Sequence, residues 1–147
     1  IETVKACFDD ETADIATLVI PFSNTDTWES LNNPNSPKVV VNKRMEAMYF
    51  SRSVIPFIRG EESNQWLKQH TFYKHIGLYA YRAKVLAEIA HLQQSPLEIA
   101  ESLEQLRWLE NGYKIKVGVS EIETIGIDTP EDLEKAEKFL LSHNYGI

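Results

Sequence analysis

The chain has 147 residues, of which 43% are hydrophobic and 25% charged, so it fits one globular domain of ordinary size with a buried core. Its formal net charge of −7 argues against a nucleic-acid backbone or an anionic membrane surface as partner, because both would repel the protein on average. There is no signal pattern, no stretch near the ~18 apolar residues that span a bilayer, and one cysteine, Cys7, so we expect a cytoplasmic chain without membrane insertion or an intrachain disulfide.

The first third of the chain predicts a helix followed by a buried strand, the repeating step of α/β proteins. Residues 1–8 place apolar side chains on one helical face, and residues 14–20 form a β-branched run that predicts a strand buried on both faces. Residues 23–37 are rich in Asn, Asp, Ser and Pro and predict a loop, with one helical turn at 27–31. Because the chain opens at Ile1 rather than at a methionine, we expect it to come from the middle of a protein.

The rest of the chain predicts a hairpin and then alternating strands and helices. Residues 38–42 and 46–51 are strand-like runs whose short separation suits a hairpin. Ser95 and Glu98 form a capping-box pattern at the start of a helix that should run to about Gly112. The other predicted elements are a short helix or loop at 65–71, a strand at 75–82, a helix at 82–91, a strand at 113–119 and a last helix that opens at Thr129.

The predicted strand at 75–82 carries polar and aromatic side chains on one face. Alternation puts His75, Gly77, Tyr79 and Tyr81 on that face. At ~3.3 Å per residue, His75 and Tyr79 would lie roughly 13 Å apart, with a gap at Gly77 that could receive a ligand. The alternative is a strand whose polar edge faces water, and the octapeptide alone leaves both open.

One acidic residue is placed where it could bind a metal ion. Asp128 follows a predicted strand end at Gly126-Ile127 and precedes a helix N-terminus, which is where ligands gather in α/β sheets. A carboxylate there can hold Mg²⁺ together with phosphate oxygens, whereas the alternative is a turn or cap residue ahead of Pro130. Nothing in the sequence resembles a Ser-His-Asp or Cys-His catalytic set, and the four histidines lack zinc-ligand spacing.

Several blocks of sequence resemble the 3-deoxy-manno-octulosonate cytidylyltransferases, or CMP-Kdo synthetases, in the order of that family. They are Tyr-Phe-Ser-Arg-Ser-Val-Ile-Pro at 49–56, His-Ile-Gly-Leu-Tyr-Ala-Tyr-Arg at 75–82, Ser-Pro-Leu-Glu at 95–98, Leu-Glu-Gln-Leu-Arg at 103–107 and Gly-Ile-Asp-Thr-Pro-Glu-Asp-Leu at 126–133. The resemblance implies an α/β fold of the nucleotidyltransferase type, with a Rossmann-like, GT-A-type mixed sheet and flanking helices. Residues 1–147 would be the C-terminal part of a single cytidylyltransferase domain whose N-terminal, nucleotide-binding half is missing here.

The resemblance also implies a reaction and a set of contacts. CMP would pass from CTP to the 2-keto acid sugar Kdo, giving CMP-Kdo and diphosphate for lipopolysaccharide assembly. The implied site residues are His75, Tyr79, Glu104 and Gln105 for the sugar and Asp128 for Mg²⁺, although Glu104 and Gln105 could instead be solvated polar positions of a helix. The forked, permanently charged guanidinium of Arg52 could hold the carboxylate of Kdo, with Arg59 as a weaker candidate, or Arg52 could instead form a surface salt bridge. The family's second metal carboxylate would lie just before Ile1, so we expect these residues alone to be inactive.

A homodimer is a further expectation from the resemblance, with contacts concentrated in the sugar-binding and dimerisation segment at 38–82. The buried strand at 14–20 would need flanking strands that lie mostly before Ile1, so its edges would be uncovered here. The apolar residues available for the interface are Met45, Met48, Tyr49, Phe50, Phe57 and Trp66, although they could instead fill a monomer core. Two other functions stay open: a non-catalytic binding or dimerisation module, and a cytidylyltransferase that acts on a sialic acid.

Overall fold

Five strands form one mixed sheet in the computed structural model, which describes residues 1–121 together with 134, 137 and 138. The strands are β1 (Ile15–Pro21), β2 (Lys38–Val41), β3 (Ala47–Ser51), β4 (Tyr73–Tyr81) and β5 (Ile115–Val119). The α-helices of residues 1–121 are α1 (Glu2–Ala6), α2 (Trp28–Leu31), α3 (Trp66–Gln69), α4 (Ala83–Ile89), α5 (Pro96–Glu101) and α6 (Gln105–Glu110). This is the α/β fold, with a mixed sheet and flanking helices, that the sequence predicts.

The order of the strands across the sheet is β3-β2-β4-β1-β5. β1 is parallel to β5 and antiparallel to β4, while β2 is antiparallel to both β3 and β4. The predicted hairpin at 38–51 is therefore confirmed, and it adds two strands beyond β4. The hairpin turn also reaches the far edge of the sheet, where the amide of Val117 donates to the carbonyl oxygen of Met45 at 2.8 Å.

The buried strand β1 is covered on both edges within this chain. Its first five residues are buried, as the β-branched run predicts. The expectation that its flanking strands lie before Ile1 is wrong for the described residues, because β4 pairs with one edge and β5 with the other. The backbone donors and acceptors of β1 therefore have partners without a second chain.

The long helix predicted from Ser95 to about Gly112 is two helices. The capping box at its start is present, because the Ser95 side chain accepts from the amide of Glu98 and the Glu98 side chain accepts from the amide of Ser95. The helix ends at Ser102, which has φ 51° and ψ 48°, in the left-handed region. A left-handed residue stops the α-helical hydrogen-bond pattern, so α6 starts afresh three residues later.

The main core lies between one face of the sheet and the helices α4 to α6. Its buried side chains include Val19, Phe50, Leu106 and Trp108, with Tyr79 packed against them. α1 packs on β1 through a smaller cluster that contains Val4, Cys7, Ala16 and Leu18, and a third cluster of Leu31, Trp66 and Phe72 lies among the loops.

Two residues expected at a dimer interface lie in buried clusters instead, Phe50 in the main core and Trp66 in the third cluster. Phe50 is 0% exposed and Trp66 is 6% exposed, so neither can contact a second chain without rearrangement. Met48 and Phe57 are 63% and 75% exposed and remain available. No helix among the described residues is long and apolar enough to cross a membrane.

Candidate functional site

A bulge in β4 brings two of the predicted sugar contacts, His75 and Tyr79, together. Thr17 pairs with Tyr79 and the next residue, Leu18, pairs with Ile76, so Gly77 and the residue after it have no partner in β1. The ring centroids of His75 and Tyr79 are 5.3 Å apart, rather than the roughly 13 Å expected of a regular strand. The predicted gap between the two side chains is therefore absent, because the two extra residues leave the line of the strand.

The side chain of Thr17 lies inside this bulge and is 0% exposed. Its Oγ1 is 2.9 Å from Nε2 of His75, 2.8 Å from the carbonyl oxygen of Leu78 and 3.3 Å from that of Ile76. The sequence analysis did not identify Thr17. The signal that could have done so is a hydroxyl in an otherwise apolar strand, because a buried hydroxyl needs a partner.

Aromatic rings surround His75 and continue along the face of β4. Phe50 contacts His75 edge-on at 5.0 Å between ring centroids, and Tyr79 lies 6.1 Å from Tyr81. Trp108 of α6 packs edge-on against both tyrosines, at 5.0 and 5.5 Å. The helix layer therefore fixes the ring planes of the strand residues.

The ionisable groups of this face stay neutral at neutral pH. Burial lowers the pKa of His75 to about 4, so its imidazole is uncharged at pH 7. Burial and the nearby charge of Glu104 raise the pKa values of Tyr79 and Tyr81 above the usual value for a phenol, so both keep their hydroxyl protons. The face offers neutral hydrogen-bond donors and acceptors rather than an acid or base titrating near pH 7.

Glu104 and Gln105 lie at the start of α6, beside this face. Gln105 is 5% exposed, so its side-chain amide is buried beside this face. Glu104 has a 62% exposed side chain and pairs with Nη2 of Arg107 at 2.9 Å. The same Nη2 donates to Oε1 of Glu98 at 2.8 Å, which ties the start of α6 to α5. A buried amide beside an exposed carboxylate suits the recognition of neighbouring hydroxyl groups.

Arg52 has mainly backbone partners. Its Nε donates to the carbonyl oxygen of Glu101 at 2.7 Å, Nη1 to that of Pro34 at 2.8 Å and Nη2 to that of Ser102 at 3.1 Å. Three of the five N–H donors of the guanidinium are therefore occupied, so it is not a free fork for a carboxylate. These three partners are backbone carbonyl oxygens, so the geometry is not that of a surface salt bridge. The other candidate, Arg59, is exposed in the loop after β3.

The predicted metal ligand, Asp128, lies outside the described residues. Among the residues that the structure does describe, no group of three or more His, Cys, Asp or Glu side chains could hold a metal ion. The magnesium site therefore stays a prediction.

Comparisons with known proteins agree with this fold. The sequence model of the cytidylyltransferase family matches residues 2–115. Proteins named 3-deoxy-manno-octulosonate cytidylyltransferase are 71% identical over 141 residues in Parabacteroides distasonis and 55% identical over 142 residues in Porphyromonas gingivalis. These matches cover 95% and 97% of this chain and 56% of each relative, so the chain spans about half the length of the curated relatives it matches.

A solved structure is also similar to the chain. It is a CMP:2-keto-3-deoxy-manno-octonic acid synthetase complexed with CTP, and it superposes with a TM-score of 0.82 at 36% identity, covering 97% of this chain and 55% of that protein. The resemblance predicted from the sequence blocks is confirmed by the names of these relatives. The residues matched by the family model include β1 to β4, with the bulge, and the helices α4 to α6. The chain therefore belongs to the cytidylyltransferase family.

Proposed function

We propose that this chain is part of an enzyme that transfers CMP from CTP to Kdo, releasing diphosphate. The oxygen of the anomeric hydroxyl of Kdo attacks the α-phosphorus of CTP, and the bond from that phosphorus to the oxygen bridging the β-phosphorus breaks. The hydroxyl proton passes to solvent or to a base. The observation that carries the proposal is the neutral hydrogen-bonding face of His75, Tyr79 and Gln105 in a chain whose relatives are named for this reaction.

The role of this face is to bind and orient the sugar. A neutral imidazole and a protonated phenol exchange hydrogen bonds with sugar hydroxyls without placing a charge beside them. The amide of Gln105 can donate and accept at once, and the carboxylate of Glu104 can accept from a second hydroxyl. The contact of Trp108 with Tyr79 restricts the motion of the face, which lowers the entropy lost when the sugar binds.

The carboxylate of Kdo needs a cationic partner, and we assign this contact to Arg52. Three of its donors hold Pro34 and the α5–α6 junction, and the remaining N–H groups on Nη1 and Nη2 are the ones available to a ligand. Hydrogen bonds to three carbonyl oxygens fix the plane of the guanidinium, which favours a directed contact. Arg59 is the alternative, as an exposed residue with greater freedom to reach a ligand.

We also propose that Asp128 contributes one ligand to Mg²⁺. The support is its sequence block and the preference of Mg²⁺ for carboxylate and phosphate oxygens. The ion, when bound, would neutralise the charge that develops on the phosphates during transfer. The residues of this chain then have only to position the sugar, in agreement with a face that holds no nucleophile of the usual triads.

The pathway, cell compartment and oligomeric state of the enzyme are proposed from the same family relationship. The product would serve lipopolysaccharide assembly, and the enzyme would act in the cytoplasm as a homodimer. The exposed side chains of Met48 and Phe57 are the apolar material that the segment at 38–82 offers to a partner. Because the chain spans about half the length of its relatives, we expect the 147 residues alone to release no diphosphate from CTP and Kdo.

The test is diphosphate release by the full-length protein. With CTP and Mg²⁺ present, we expect release that depends on Kdo and the appearance of CMP-Kdo in equal amount. N-acetylneuraminic acid, a sialic acid, is the matched control, and it should support little release. Release with the sialic acid but not with Kdo would favour the sialic acid alternative, and no release with either would favour a non-catalytic module.

A further inference from the structure

The bulge of β4 contains a hydroxyl with three polar neighbours and a single proton to donate. Thr17 is fully buried in the middle of β1, and its Oγ1 is within 3.3 Å of two carbonyl oxygens and one ring nitrogen of His75. Nothing in the proposed reaction uses this residue directly. Its neighbours include His75 and Tyr79, two of the residues that we assign to the sugar.

The positions of the two carbonyl oxygens determine which neighbour receives the hydroxyl proton of Thr17. The carbonyl oxygens of Leu78 and Ile76 can only accept, and the shorter distance, 2.8 Å, is to Leu78. Leu78 lies in the bulge and has no pairing partner in β1. If the hydroxyl of Thr17 donates to that carbonyl, then its oxygen can only accept from His75, and Nε2 must carry the imidazole proton.

The ring of His75 is neutral, so only one of its nitrogens is protonated. Burial keeps its pKa near 4. With the proton on Nε2, Nδ1 is an acceptor. The backbone amide of His75 donates to Pro37 at 2.9 Å, and Phe50 and Tyr79 contact the ring, so the imidazole is held on several sides.

We propose that Thr17 is a positioning residue, which fixes His75 as the Nε2–H tautomer and so presents Nδ1 as an acceptor to a sugar hydroxyl. The inference rests on the proposed function for the identity of the ligand. The tautomer itself follows from Thr17, His75 and the bulge. The pairing also explains how a buried hydroxyl is accommodated in an otherwise apolar strand core.

The experiment is nitrogen-15 NMR of the histidine rings in the full-length protein, with His75 assigned by the signals that disappear in His75→Ala. Two-bond proton–nitrogen correlations distinguish a protonated Nε2 from a protonated Nδ1. We expect the wild-type protein to show His75 with Nε2 protonated. In Thr17→Val, which removes the hydroxyl at nearly constant shape, we expect a mixture of tautomers. Thr17→Ser keeps the hydroxyl and should keep the wild-type pattern.

The kinetic readout separates this inference from the proposed function. Thr17→Val should raise the KM for Kdo roughly 3- to 10-fold, the loss of about one hydrogen bond, and leave the KM for CTP unaltered. Thr25→Val, the same change in an exposed loop, is the matched control for the His75 signals. A change of tautomer without a change in the KM for Kdo would support the positioning role and count against His75 as a sugar contact.

The inference would be overturned by a wild-type spectrum in which Nδ1 of His75 carries the proton. The same holds if Thr17→Val folds and shows the wild-type tautomer, whatever its kinetics. Because the wild-type spectrum alone decides the tautomer, a variant that fails to fold does not remove the test.

Discussion

The ionisation of buried Lys38 offers a test of the packing that supports the site, through the pH dependence of the free energy of unfolding. The side chain of Lys38 is fully buried, and its Nζ donates to the carbonyl oxygens of Asn33 at 3.0 Å and Arg52 at 2.7 Å. Burial lowers the pKa of Lys38 from 10.5 to about 8, because two carbonyl oxygens replace only part of the water that an exposed ammonium would bind. The folded protein therefore releases this proton at a lower pH than the unfolded chain does.

The difference between the pKa values of Lys38 in the folded and unfolded states gives the sign and size of the change in the free energy of unfolding with pH. Below pH 8 the folded and unfolded states both hold the proton, and the cost of burying the charge is present in full. Between about pH 8 and pH 10.5 the unfolded chain holds the proton and the folded protein does not, so the free energy of unfolding rises with pH. At about 1.4 kcal/mol for each pKa unit, the rise is roughly 3 kcal/mol as an upper limit. A neutral amine can still donate to both carbonyl oxygens, so these contacts survive the loss of the proton.

The assay is urea unfolding of the full-length protein between about pH 7 and pH 10, compared with Lys38→Met. The methionine variant lacks the titrating group, so the difference in the free energy of unfolding between wild type and variant should move in favour of the wild type as the pH rises. Lys43→Met, at an exposed position of the hairpin turn, is the control and should keep the wild-type pH dependence. Parallel pH curves for wild type and Lys38→Met would refute the reasoning.

Two further predictions concern the metal and the assembly. Asp128→Asn in the full-length protein should leave the melting temperature nearly unaltered and lower diphosphate release strongly, because only the charge on the ion is lost; unaltered turnover at saturating Mg²⁺ would count against the metal role. Phe57→Asp should weaken a homodimer without unfolding the chain, because its side chain is 75% exposed; sedimentation that gives equal dimer fractions for this variant and wild type would place the interface elsewhere.

The sequence predicts the faces of β4 correctly but not its bulge. Alternation places His75, Tyr79 and Tyr81 together, and the register with β1 agrees, because an insertion of two residues preserves the side-chain period of two. The residues of the bulge contact Thr17, which is 58 residues away from His75 in the chain. A local pattern carries no information about such a distant partner, so the separation of the two rings could not be predicted.

Local helix signals give the start of α5 but not its end. The capping box at Ser95 acts within four residues and is present as predicted. The break at Ser102 has no glycine to mark it. It is held by Arg52, which donates to the carbonyl oxygens of both Glu101 and Ser102, and by Glu101, whose carboxylate accepts from the hydroxyl of Ser51 at 2.6 Å. These contacts join the helix to the hairpin and overrule local propensity.

The same long-range contacts explain why the hydrogen-bond partners of Arg52 could not be predicted from the sequence. An arginine in a family-like block predicts a ligand contact, but the sequence does not show that backbone carbonyl oxygens already occupy three of its donors.

The pairing of β1 with β5 could not be predicted for a similar reason. The two strands are nearly a hundred residues apart in the chain, and a buried apolar strand does not specify its neighbours.

The most direct test of the sugar site is the comparison of two Michaelis constants in the full-length protein. His75→Ala and Gln105→Ala should each raise the KM for Kdo, since each removes about 1–3 kcal/mol of hydrogen bonding to a bound ligand, and both should leave the KM for CTP close to the wild-type value. Leu97→Ala, at a partly exposed position of α5, is the control for side-chain truncation in the neighbouring helix and should change neither constant. Equal increases in both Michaelis constants, or no increase in that for Kdo, would contradict the assignment of this face to the sugar.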